Sequence, residues 1–162
     1  MKDNVFKQYE ASGFTLIELM IVISIMSLIA ALALPNMGGM IKEYKLRSAA
    51  SQMVASLQSV KMRAVKENAE VKIFHQIDGV TGEHYYQLFV DSNDDNVIDA
   101  GEAYARVTLD KNLTITSNFR ANVFGFTSRG LPSNGNGTVS VNLTGGRSIS
   151  IIISKYGNVR VL

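Results

Sequence analysis

The chain contains no cysteine, which excludes disulfide bridges, thiolate metal sites and a thiol nucleophile. It leaves the compartment open, because many exported bacterial proteins also lack cysteine. Histidine is scarce: His75 and His84 are the only two. Two histidines without cysteine make a weak metal or catalytic signal, and ordinary strand positions account for them. No Ser/His/Asp arrangement and no phosphate-binding glycine loop occurs, so the chain does not read as an enzyme. Charge is sparse as well. Charged residues make up 19% of the chain and the formal net charge is +2, a balance too mild to draw in nucleic acid or anionic lipid by net charge alone. With 162 residues, there is enough chain for one compact domain.

What the chain has instead is one long apolar run. Phe14–Leu34 is 21 residues with a single ionisable group, Glu18. As a helix it would reach roughly 31 Å, the thickness of a bilayer's hydrocarbon core. Three readings compete for it. It can be a plain membrane anchor. It can be a secretory signal, for which Ala31-Leu-Ala33 supplies the small-x-small cleavage pattern. Or it can sit in a membrane first and pack into a filament core later. Glu18 bears on the choice, because a carboxylate in such a helix costs about 2.5–3.5 kcal/mol at mid-membrane. Neither an anchor nor a signal gains from it. If the chain is cut after Gly13, Phe14 acquires an α-ammonium four residues before Glu18. In staggered copies, one subunit's Glu18 would then face another's Phe14 ammonium. A misaligned copy would leave an uncompensated charge, so the pair would set register more than add stability.

Gly13-Phe-Thr-Leu-Ile-Glu18-Leu closely resembles the prepilin cleavage and methylation motif of type IV pilins and type II secretion pseudopilins. The resemblance implies that a prepilin peptidase cuts between Gly13 and Phe14 and methylates the Phe14 nitrogen. It also implies that residues 1–13 are a leader, that 14–34 form the transmembrane and assembly helix, and that Pro35 falls where the family places it. The leader carries Asp3 and Glu10 against Lys2 and Lys7 and is less basic than usual for the family. Lys42, Lys45 and Arg47 follow the span, so charge bias is weak on both sides. A cytoplasmic leader and a periplasmic C-terminal domain therefore rest on the resemblance.

Beyond the span, apolar residues recur at Leu46, Ala50, Met53, Leu57, Val60 and Ala64, in the steps of one helix stripe. The spacing predicts an amphipathic second half of the same helix, residues 35–68, lying on a sheet. Between the halves, Pro35 removes a backbone donor, and Gly38 and Gly39 weaken the helix by roughly 1 kcal/mol each, so a kink or a melting point is expected there. From residue 69 the period becomes two. Val71–Ile77, His84–Val90, Ala103–Leu109, Leu113–Thr116, Asn122–Thr127, Thr138–Leu143, Ser148–Ser154 and Val159–Leu162 read as short strands between turn residues. Ile149–Ile153 reads as a central strand. The expected fold class is α+β: a long N-terminal helix packed on a mainly antiparallel sheet domain, 69–162. The order of Val123-Phe-Gly-Phe126, Gly130, Thr138–Leu143, Arg147–Ser154 and Gly157-Asn-Val-Arg160 is similar to the GspH/FimT branch of pseudopilins.

Two further sites are suggested. In Asp91-Ser-Asn93-Asp-Asp95-Asn-Val97-Ile-Asp99-Ala-Gly-Glu102, Asp91, Asn93, Asp95, Val97, Asp99 and Glu102 hold the positions of a calcium loop. Asn96 stands where glycine makes the turn, and the flanks read as strands, so an acidic hairpin loop is the alternative. Some FimT-type relatives bind DNA through a C-terminal Gly-Arg-x-Arg. This chain keeps only Arg160 of the two arginines, and Arg147, Lys155 and Arg160 as a basic patch compete with the ordinary use of such residues to keep a sheet edge soluble. The leading function is a minor pseudopilin of a type II secretion system, contacting other pseudopilins and secreted cargo at the inner membrane. A type IV pilus minor pilin for pilus biogenesis or DNA uptake is the nearer rival. A monomeric, membrane-tethered calcium-binding module is the farther one.

Overall fold

A computed structural model of the chain describes residues 13–162, apart from the side chains of 32–36. The expected leader, residues 1–12, lies outside the described residues, as does the Pro35 side chain. The chain forms two compact units that divide between Gly39 and Met40.

One helix, α1, runs Leu16–Glu67, within a residue of the expected end. In the first unit every described side chain from Phe14 to Ala31 is exposed. Ser24 and Ser27 donate their hydroxyls to the Met20 and Ile23 carbonyls, each at 2.8 Å. Both serine hydroxyls are thus satisfied within the helix itself.

In the second unit the predicted stripe is the helix face of the core: Leu46, Ala50, Met53, Leu57, Val60 and Ala64 are all buried. Eight strands follow, one for each expected run: β1 Glu70–Ile77, β2 His84–Asp91, β3 Ala103–Thr108, β4 Leu113–Ser117, β5 Val123–Phe126, β6 Gly137–Leu143, β7 Ser148–Ile153 and β8 Val159–Val161. All pair antiparallel. They form two four-stranded sheets rather than one, ordered β3-β2-β1-β5 and β4-β6-β7-β8. β7 is an interior strand, as its apolar run predicts. Alternation puts Leu88, Ile73 and Phe124 in one row across the first sheet. Ile115, Val141 and Ile149 make a matching row in the second. These inner faces and the helix stripe close a single core.

The outer face of the first sheet carries a second row, Phe89, Lys72 and Gly125. Glycine is required at 125: a Cβ there would lie 2.3 Å from the Val71 carbonyl oxygen and 2.6 Å from Lys72 Cα. Both are backbone atoms of the adjoining strand.

Candidate functional site

The N-terminal site is built on the first turn of α1. Thr15 is the residue before the helix. Its hydroxyl oxygen accepts the Glu18 N–H at 3.3 Å, and Glu18 Oε2 accepts the Thr15 N–H at 3.0 Å and the Thr15 hydroxyl at 2.9 Å. This is a reciprocal cap, in which each residue satisfies a donor of the other that the helix leaves open. The Thr-x-x-Glu spacing carried that signal, and reading Glu18 only as a charge overlooks it. The two roles are compatible, because the cap engages one carboxylate oxygen and leaves Glu18 at the surface of the helix. Phe14 is 82% exposed. Among the described residues nothing lies within 4 Å of where a Gly13 side chain would begin. Gly38 and Gly39 are equally open, and the helix continues through both.

Among the described residues no helical stretch is both long and apolar enough to cross a membrane. The described side chains of the Phe14–Leu34 run stop at Ala31. What they do form is a continuous exposed apolar surface: Leu16, Ile17, Leu19, Met20, Ile21, Ile23, Ile25, Met26, Leu28 and Ile29 are each more than half uncovered. A surface of this kind marks a membrane or protein contact.

The acidic loop, Asp91–Glu102, is folded across the outer face of the first sheet, and its first residue is buried against a lysine. Lys72 Nζ lies 2.6 Å from Asp91 Oδ2, 2.8 Å from Glu70 Oε2 and 3.0 Å from Asp94 Oδ1. Burial alone would pull the Lys72 ammonium down, but Asp91, Glu70 and Asp94 together hold it above its ordinary value. Asn93, Asp95, Asp99 and Glu102 are engaged in hydrogen bonds within the loop. Asn93 Nδ2 donates to Asp95 at 2.9 Å and to Asp99 at 3.1 Å. Glu102 accepts the Ser92 and Asp99 N–H groups at 3.0 and 3.1 Å. Among the described residues no group of three or more acidic or histidine side chains is arranged to hold a metal ion. This arrangement gives the calcium reading no support. Two of its carboxylates, Asp91 and Asp94, meet an ammonium, and Asn96 makes the turn meant for glycine by taking φ 63°.

The two histidines meet. His75 on β1 and His84 on β2 have rings inclined by only 6°, with Nε2 of the first 2.9 Å from Nδ1 of the second. Parallel rings this close at one atom pair are joined edge to edge in nearly one plane. His84 Nδ1 also accepts the Ile115 N–H of β4 at 3.2 Å. The bridging proton accordingly sits on His75 Nε2, and His84 ties the first sheet to the second. Burial, then the neighbouring His84 ring, lowers His75 to about 4; burial lowers His84 as well. The linkage follows in sign. An unfolded histidine takes its proton near pH 6.5, and the folded His75 does not until about pH 4. Stability is thus complete above pH 6.5 and falls as pH drops through that window. At about 1.4 kcal/mol per pH unit, and allowing for relaxation, the loss is about 2 kcal/mol. Melting curves of the wild type and His75→Gln between pH 7 and pH 4 check this: the variant should lack that part of the acid slope.

The basic residues of the C-terminal region do not converge. Arg147 precedes β7 and its guanidinium lies 3.2 Å from Glu43 on α1. Lys155 lies past the opposite end of β7, with its ammonium 5.0 Å from the Tyr156 ring centre. Strand rise separates the two by about 26 Å. Arg160 is opposite Ile152 on the edge strand β8, on the face away from the buried Ile151 and Ile153.

The chain is similar to a curated protein over nearly its whole length and to solved structures over about three quarters of it. The family model for type II transport protein GspH matches residues 49–157. The prokaryotic N-terminal methylation motif matches residues 10–34. The pilin-like protein PilA1 of Thermus thermophilus is 29% identical over 159 residues, covering 92% of this chain and 97% of that protein. The type IV minor pilin FimU of Pseudomonas aeruginosa shares the fold with a TM-score of 0.59 at 17% identity, over 74% of this chain and 90% of FimU. The minor pseudopilin EpsH of the Vibrio cholerae type 2 secretion system aligns at a TM-score of 0.46 and 14% identity, over 73% of this chain and 96% of EpsH. With the family match spanning more than half of the chain, and a methylation motif at the start of a long helix followed by antiparallel sheets, this is a type IV pilin-like protein of the GspH family.

Proposed function

We propose that this chain is a minor pseudopilin of a type II secretion system, a structural subunit and not an enzyme. It starts as a precursor held in the inner membrane by residues 14–34, with residues 40–162 outside the cytoplasm. A prepilin peptidase removes residues 1–13 and methylates Phe14, and the freed helix joins other pseudopilins in a short filament that moves secreted cargo. The observation that carries this reading is the apolar surface of α1 from Leu16 to Ile29, uncovered in the single chain and broken only by Glu18 and two self-satisfied serines. Left bare in water, such a surface would be severely unfavourable, at about 25 cal/mol per Å². A membrane before assembly and neighbouring helices after it provide the cover. The family description supports the choice of machine.

A second reading, a minor pilin of a type IV pilus, is favoured by the pilin-like relative that matches almost end to end. Loss of the protein from its own cell separates the two: stalled secretion with normal piliation supports the first, and the converse the second. The calcium-binding module receives no support: among the described residues no group of acidic side chains is placed to hold a metal ion.

Cysteines engineered singly at Ile21 and Ile25 offer the direct test, since the wild type has none to interfere. Oxidation in membranes of the native host is expected to give multimers with itself or with companion subunits. A product that stays monomeric at every position overturns the filament reading.

A further inference from the structure

We propose that Lys72 is the resident cation of the Asp91–Glu102 loop, an internal ammonium that orders it without metal, and that removing it uncovers a calcium site made by Glu70, Asp91 and Asp94. This set differs from the six ligands the loop's spacing suggests, and two of its three members come from β1 and the end of β2.

Lys72 occupies the point that three carboxylates share, and while it is there they are not placed to hold a metal. An ammonium has three hydrogens to donate, and Lys72 has three carboxylate partners at 2.6, 2.8 and 3.0 Å. Its side chain is 1% exposed and that of Asp91 not at all. The backbone wraps the same point. Asp91 Oδ2 takes the Asn96 N–H at 3.0 Å as well as the ammonium, and Asp94 and Asn96 adopt φ 58° and 63° to bring the loop back over it. One oxygen is left over: Asp91 Oδ1 is buried and has no hydrogen-bond partner. Three carboxylates around one lysine leave a local excess of two negative charges. Without the lysine, Asp91 would be a buried charge with no counterion and two acidic neighbours, a strongly destabilising arrangement. Calcium binds carboxylate oxygens at about 2.3–2.6 Å and accepts a bidentate carboxylate. A slight contraction of the three groups around the vacated point, with Asp91 Oδ1 turned inward as a fourth oxygen, meets that requirement.

The full-length protein in detergent, melted in EDTA and in millimolar calcium chloride, tests the proposal. The wild type should melt at the same temperature in both. Lys72→Met should melt roughly 10 °C lower in EDTA and regain most of that difference in calcium, less in magnesium, which demands stricter geometry. Lys72→Met with Asp91→Asn removes the buried charge along with its counterion and should not respond to calcium. The proposal is overturned if calcium stabilises the wild type, if it fails to rescue Lys72→Met, or if the double variant responds as the single one does. Should Lys72→Met not fold in EDTA, refolding in calcium takes the place of the melting curve, and no recovery there also overturns it.

Discussion

Replacing Glu18 with valine is expected to abolish incorporation of this subunit into filaments, by at least about tenfold, while cleavage after Gly13 proceeds normally. Among the described residues the Glu18 carboxylate is held by Thr15, so its worth to the isolated helix is that of a cap, about 1 kcal/mol. A cap of that size does not decide whether a filament forms. A buried carboxylate without its ammonium does, because breaking such a pair costs about 3–5 kcal/mol at each contact. Glutamine separates the two roles. It can close the Thr15 cap as glutamate does, but it brings no charge to a neighbour's Phe14 nitrogen. If charge pairing sets the register, Glu18→Gln assembles as poorly as Glu18→Val. Near-normal assembly of Glu18→Gln would reduce Glu18 to a capping residue. Filament yield and N-terminal processing, measured on the same cells, give both answers.

The second large effect falls on the globular unit. Gly125→Ala is expected to destabilise it by at least about 3 kcal/mol, lowering its melting point by roughly 10 °C. The added methyl would meet the Val71 carbonyl and Lys72 Cα, and neither can yield without parting β5 from β1. Gly79→Ala is the control, since open space surrounds Gly79 and its φ is not in the left-handed region. It should melt within about 2 °C of the wild type. A Gly125→Ala protein as stable as that control would mean that β5 is not seated against β1 as described.

These two residues show what the sequence could and could not disclose. Periodicity located the helix stripe to the residue and all eight strands to within two at each end, because burial on one face writes itself into spacing. Partner choice leaves no such mark. Nothing in the period of β1 or β4 says that they belong to different sheets, and the division follows from which inner faces close on the helix. Lys72 was invisible for a related reason. It sits between Val71 and Ile73 as an ordinary outward residue, and its burial comes from a loop some twenty positions later. The loop reads as a calcium site from its carboxylate spacing alone, which cannot reveal that Lys72 of β1 meets Asp91 and Asp94. The histidines looked like two unrelated strand positions, although the β1–β2 hairpin register places them on one face, with His75 opposite Tyr86 and His84 opposite Ile77. At the N-terminus the Gly13–Leu19 motif was plain, and only the Thr15 cap within it went unread.

The mass and N-terminal residue of the protein extracted from its native membrane test the filament account most directly. The account predicts a chain that begins at Phe14, carries a methyl group on that nitrogen and has lost residues 1–13. A mature chain that still begins at Met1, or that begins at Leu34 after cleavage behind Ala33, would contradict it, since no α-ammonium would then stand at Phe14 to meet Glu18.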